Sequence, residues 1–127
     1  MNPEKVVFGF FILLAASLNF GYCTGEIDNP VHHSAYELFA AIVVNLIATV
    51  LKLGDRTQMG AVMLATSLVA DLGLITAAVI WAVGVYGTGE GLTPALMAAV
   101  VSFASGALLA NVTSVVLLVI ETVTMRR

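Results

Sequence analysis

Apolar residues gather along this chain into four long runs, separated by short polar segments. The runs extend from Val6 to Tyr22, Tyr36 to Leu51, Met59 to Tyr86 and Leu92 to Ile120. A helix that crosses a bilayer needs about 17–25 mostly apolar residues, and each run reaches or approaches that length. Hydrocarbon offers backbone amides no partners, so each run is expected to satisfy its own hydrogen bonds as an α-helix. The pattern therefore predicts an all-α polytopic membrane protein: one domain of four transmembrane helices, spanning about 6–22, 32–52, 59–86 and 92–122. Asn29-Pro30 and Thr93-Pro94 each pair an N-cap residue with proline at the first helical position, marking the starts of the second and fourth helices. Gly54-Asp55-Arg56-Thr57 reads as a tight turn. The fourth run has no charge over about 43 Å at 1.5 Å per residue. It exceeds a core of about 30 Å and is expected to tilt, kink or project.

Composition narrows the class further. Hydrophobic residues make up 60% of the 127, and mean hydropathy is +1.03. Charged residues make up 10%, against about 25% in soluble domains. That excludes an ordinary soluble domain and a disordered tail. Five basic residues against eight acidic ones make no large phosphate-binding patch, so no nucleic acid is expected. The one cysteine, Cys23, allows no internal disulfide. Tyr22 is bulky where a lipoprotein cleavage site before a cysteine requires a small residue, so the first run is read as a retained helix.

Orientation follows from the basic residues. Lys5 precedes the first run, Lys52 and Arg56 lie between the second and third, and Arg126 and Arg127 follow the fourth. Alternating spans put all five on one side, a chance result only about one time in sixteen, whereas the positive-inside bias accounts for it directly. Both termini are therefore expected in the cytoplasm. Tyr22, Tyr36, Trp81 and Tyr86 all fall near the opposite ends of the spans, where amphipathic rings favour the interface.

Polar residues inside the spans are the candidate chemistry. Asp71 lies near the centre of the third span, where an Asp costs roughly 2.5–3.5 kcal/mol on insertion scales. It is expected to face protein or a water-filled cavity, as an ion- or proton-binding carboxyl or as a protonated packing group. Ser67, one turn earlier, is its natural local partner. A hairpin turning near Asp55 brings Asn45 to the depth of Asp71, so these two are expected to meet. His33, Glu37, Ala41 and Asn45 recur every four residues on one helical face, a candidate entry path from the outer mouth to the midplane. His33 and Glu37, with His32 and Asp28, also form a weak pattern for a metal, but no metal or cofactor is assigned. Asn19 and Asn111 read as packing groups toward the outer and inner leaflets. Asn111-Val112-Thr113 fits a glycosylation sequon that membrane burial makes unusable.

Ala98, Ser102, Gly106, Ala110 and Ser114 recur every four residues along the fourth span. Such a small-residue ridge allows close backbone approach. A four-span protein of this size has little interior of its own, so the ridge is expected to meet another subunit in a homo-oligomer or larger membrane complex. No phosphate-binding glycine loop or nucleophile elbow occurs, and no enzyme activity is expected.

The segment YELFAAIVVNLIATVLKLGDRTQMGAVMLATSLVADL, Tyr36 to Leu72, resembles a family of small bacterial four-span inner-membrane proteins of unassigned function. That resemblance implies a location rather than a mechanism. Size and span count are also similar to those of small multidrug-resistance exporters. Their essential carboxylate lies in the first span, whereas here the first span carries Asn19 and the acid is in the third. The remaining expectation is an ion-transport-associated membrane protein, with a non-conducting accessory subunit as the alternative.

Overall fold

The computed structural model describes residues 3–25, 29, 34–87, 89 and 91–125. Among them are four α-helices: α1 (Pro3–Cys23), α2 (Ala35–Lys52), α3 (Gln58–Ala82) and α4 (Pro94–Met125). A π-helical turn, Val83–Gly87, extends α3. All four helices are long and apolar enough to cross a membrane, and the chain is a multi-pass membrane protein. Each helix packs on two neighbours in the order α1–α2–α3–α4 and back to α1, most extensively α3 on α4.

Local chemistry explains the helix ends. Thr57 caps α3, accepting a hydrogen bond from Gly60 N at 2.9 Å. Thr93 caps α4 by accepting from Leu96 N at 3.2 Å, and Pro94 opens the helix as expected. The second helix departs from expectation. It begins at Ala35 after Ser34 in extended backbone, not at residue 32. The Pro30 expected to open it lies outside the described residues, as do Asp28, His32 and His33. The third helix relaxes into the π turn near its expected end. There Gly84 is buried, and a Cβ on it would come within 2.9 Å of Leu92.

α4 reaches further than α1. The helix is continuous over 32 residues, and the Cys23 thiol at the end of α1 lies 3.6 Å from the Ser105 hydroxyl. The eleven helical steps from Pro94 to Ser105 therefore run about 16 Å beyond α1. At the other end, Lys5 and Glu121 form an ion pair at 2.5 Å. The Lys52 ammonium lies 4.3 Å from the centre of the Phe8 ring. The start of α1, the end of α4 and the α2–α3 turn thus share one end of the bundle.

The opposite end holds the interfacial aromatics, with one correction. Tyr36 and Tyr86 are exposed, and Trp81 packs edge-on against both Phe39 and Tyr86. Tyr22 instead turns inward and is buried, because its position continues the stripe of Phe8, Ile12, Ala15 and Asn19 along α1.

The buried apolar residues form two clusters. One contains Tyr22, Leu38, Ala41, Ala70, Leu74 and Ala77 with the upper half of α4. The other contains Phe8, Ile12, Ala48 and Met63. On α2 the break between them falls at Asn45, and on α3 at Ser67.

Candidate functional site

Helical periodicity carries Asn45 and Thr49 on one face of α2, and Ser67 and Asp71 on one face of α3. The tight turn at residues 53–57 folds these faces together. Asp71 is 7% exposed, and Asn45 is completely buried. The carboxylate therefore faces protein, not acyl chains, as an intramembrane acid requires. The Asn45 side-chain amide donates to Asp71 Oδ1 at 2.5 Å and to the Ser67 backbone carbonyl at 3.3 Å. The expected meeting of Asn45 and Asp71 is present within one chain.

Thr49 completes the site and was not foreseen from the sequence. Its hydroxyl lies 2.6 Å from Asp71 Oδ2 and 2.9 Å from the Asn45 backbone carbonyl. A hydroxyl carries one proton but two acceptor lone pairs. With Asp71 ionised, Thr49 donates to the carboxylate. With Asp71 protonated, the acid donates to Thr49, and Thr49 donates to the Asn45 carbonyl. Both protonation states of the buried acid are hydrogen-bonded without any movement of the backbone.

A family model described as "Family of unknown function (DUF6394)" matches residues 32–122. The chain belongs to that family. The match spans α2, α3 and most of α4, including Asn45, Thr49, Ser67 and Asp71, and leaves α1 outside. Neither the curated proteins nor the solved structures contain a match.

The other expected site residues are distributed differently. Ser67 contributes its backbone carbonyl to Asn45, whereas its hydroxyl is buried and has no hydrogen-bond partner. Glu37 is eight residues from Asn45, about 12 Å along the helix. Its carboxylate packs over Gly21 of α1. Leu38, Ala41, Leu74 and Ala77, all fully buried, fill the interior between the two levels, so an apolar seal separates Glu37 from the Asp71 cluster. His33, the outer member of that face, lies outside the described residues.

The small-residue ridge of α4 divides. Ala110 and Ser114 are buried inside the bundle, Ala98 is half-buried, and Ser102 and Gly106 are exposed. A four-residue step advances 400° at 3.6 residues per turn, so the ridge winds out of the bundle by about 40° per step. The close intrachain approach uses other residues: a Cβ on Gly73 would lie 3.1 Å from the Phe103 carbonyl and 3.2 Å from Ala107. The same interface bonds the hydroxyls of Thr66 and Ser114.

Asn19 and Asn111 are both completely buried. With its amide nitrogen facing α4, Asn19 donates to the Ala104 carbonyl at 2.9 Å and accepts from Leu108 N at 3.0 Å. It thereby fastens α1 to the backbone of α4. Neither polar atom of the Asn111 amide has a hydrogen-bond partner.

At the basic end, Asp55 organises the α2–α3 turn. Its Oδ1 accepts from Thr57 N at 3.0 Å and Thr57 Oγ1 at 2.7 Å, and its Oδ2 accepts from Lys52 Nζ at 3.2 Å. The Thr57 hydrogen bonds, with help from Lys52, lower the Asp55 carboxyl from 3.8 to about 2. Lys52 is itself buried, covered by the Phe8 ring and neutralised by Asp55.

Proposed function

We propose that this protein is an ion-transport-associated component of the bacterial inner membrane, in which Asp71 takes up and releases a proton or small cation. The observation that carries this reading is the Thr49 hydroxyl placed between Asp71 and the Asn45 carbonyl. A group that only packs needs one satisfied state; this arrangement provides two. Intramembrane acids sheltered by protein are functional by default. Lys5, Lys52 and Arg56 sit at one end of the bundle, which supports a cytoplasmic placement of both termini.

Reconstitution of the purified protein into vesicles, with proton and cation flux read by entrapped dyes, tests the reading. Flux in the native protein and none in Asp71→Asn is the expected result. An equal rate in the two proteins would sink it.

The second reading is a non-conducting accessory subunit, favoured by one observation. Gly106 is exposed on α4 and a Cβ there meets nothing within 4 Å, so this small-residue face is open to a neighbouring helix. A homo-oligomer uses the same face in the first reading. Inert vesicles, with co-purification of a larger membrane protein lost in Gly106→Leu, are the outcome that this reading expects.

A further inference from the structure

Asn45, Ser67 and Asn111 lie at a similar depth in the bundle interior, and several of their atoms have no partner. Gly73 packs on Ala107, and Thr66 pairs with Ser114. Asn111 lies between Ala107 and Ser114 on α4, and Ser67 lies between Thr66 and Gly73 on antiparallel α3. These two are therefore level with each other. The Asn45 amide bonded to the Ser67 carbonyl brings α2 to the same level. Each of the three occupies the middle of its helix's buried stripe: Ala41-Asn45-Ala48, Met63-Ser67-Ala70 and Ala107-Asn111-Ser114.

Asn45 Oδ1, Ser67 Oγ and both polar atoms of Asn111 are fully buried without a hydrogen-bond partner. Buried polar atoms are almost always satisfied, by protein, by water or by an ion, and four unpartnered ones on three helices call for such a partner. The level is also built from smaller side chains than its neighbours. Below it are Phe8, Ile12 and Met63, and above it Tyr22, Leu38 and Leu74. On α1, the Lys5–Glu121 and Asn19–α4 contacts put Ala15, also fully buried, at this depth.

The chemistry of the guest follows from the donors. They are oxygens from two amides and a hydroxyl, beside one carboxylate that accepts from both Asn45 and Thr49. A buried carboxylate that stays ionised needs a countercharge. Lys52, the basic residue of α2, is two turns from Asn45 and bonded to Asp55, Lys5 is bonded to Glu121, and α3 carries no basic residue. Hard oxygen donors suit alkali and alkaline-earth cations, and divalent sites are commonly built from several carboxylates. One carboxylate with neutral oxygens matches a single positive charge.

We propose that Asp71, Asn45, Ser67 and Asn111 bind one dehydrated monovalent metal cation on the bundle axis, for which sodium is the probe. The proposal rests on the reading of Asp71 as an ion-binding carboxyl and adds the ion's class and the role of Asn111. A proton on Asp71 needs none of the three orphaned side chains, whereas a bare cation uses them as ligands.

Thermal unfolding of the purified protein in detergent, titrated with NaCl while choline chloride holds ionic strength constant, tests the site. Sodium raises Tm saturably and choline does not. Asn111→Leu, which keeps the number and branching of the side-chain heavy atoms, and Ser67→Ala each weaken the apparent sodium affinity by about tenfold or more. Asp71→Asn removes the sodium response. No sodium-specific rise, or a rise that Asn111→Leu leaves unchanged, overturns the metal site. Proton flux in sodium-free vesicles separates the two readings. If that flux requires Asp71 while sodium has no effect on Tm, the metal site falls and the protonatable carboxyl stands. If Asp71→Asn alters neither flux nor sodium response, both fall.

Discussion

The Thr49 hydroxyl of α2 lies 2.6 Å from the Asp71 carboxylate of α3, whereas Ser67, one turn from Asp71 on its own helix, leaves its hydroxyl unpartnered. The interhelical contact thus replaces the local one. Thr49→Val keeps the shape and removes the hydroxyl. It leaves one carboxylate oxygen without a partner, at a cost of about 1–3 kcal/mol. It also removes the hydrogen bond that accommodates the second protonation state, so ion or proton exchange slows, while Thr49→Ser restores it. Denaturation in mixed micelles and vesicle flux, compared across the three proteins, check both effects. Unchanged flux in Thr49→Val would count against the two-state role.

Two glycines on the α3 and α4 surfaces separate folding from association. A side chain at Gly73 meets the Phe103 carbonyl and Ala107. Gly73→Leu therefore pushes α3 from α4 and destabilises the protomer by about 1–3 kcal/mol, the usual cost of overpacking. Gly106→Leu enters open space, so the protomer is not destabilised, and loss of a mid-helix glycine favours the helix by about 0.5–1 kcal/mol. Its expected effect is on association, measured by crosslinking and size-exclusion chromatography in mild detergent. An unchanged assembly would reject this face as the interface.

The turn at Asp55 predicts a specific acid response. The carboxyl ionises at about 2 in the folded chain and at about 3.8 ordinarily. The ionised group therefore favours folding at pH above about 4, and this contribution fades as pH falls toward 2. Asp55→Asn is less stable than the native protein at neutral pH, and the gap narrows between pH 4 and pH 2. Tm measured across that range reads the difference. A gap that stays constant would mean the Asp55 charge is not the source. Thr57→Ala removes the N-cap of α3, at about 1 kcal/mol, and also the side-chain hydrogen bond that most lowers the Asp55 carboxyl, so the acid response shrinks with it.

A labelling experiment addresses orientation. In a Cys23→Ser background, a cysteine at Thr57 is expected to react with an impermeant thiol reagent only after the cytoplasmic face is opened. A cysteine at Tyr86 is expected to react from outside in intact cells. The reverse pattern would overturn the proposed placement of the basic end.

Much of the site was legible before any coordinates. Asp71 is the only charge within its span, and the short turn at Asp55 sets Asn45 and Asp71 at matching depths whatever the detailed packing. Thr49 was also signalled, because it stands one turn from Asn45 on the same face. Local spacing favours Ser67 instead, and a helix surface does not reveal which polar neighbour lies across an interface. A lone amide in a long apolar helix reads as a packing group, and no helical pattern shows that both polar atoms of Asn111 lack a partner. Glu37 shared a face with Asn45, but the apolar side chains between their levels come from α3 as well as α2, so periodicity on one helix could not show the seal.

Sequence alone determined the four helices, their approximate limits and the gathering of Lys5, Lys52 and Arg56 at one end. Hydrocarbon forces apolar runs to close their own backbone bonds, and alternating spans leave little choice of side for their flanking charges. Only the tertiary structure decided which faces meet and at what register: Asn45 and Thr49 on Asp71, Asn19 on the backbone of α4, Gly73 on Ala107, and Ser102 and Gly106 turned outward. A helical repeat specifies which residues share a stripe. The neighbour met by that stripe depends on the packing of all four helices at once.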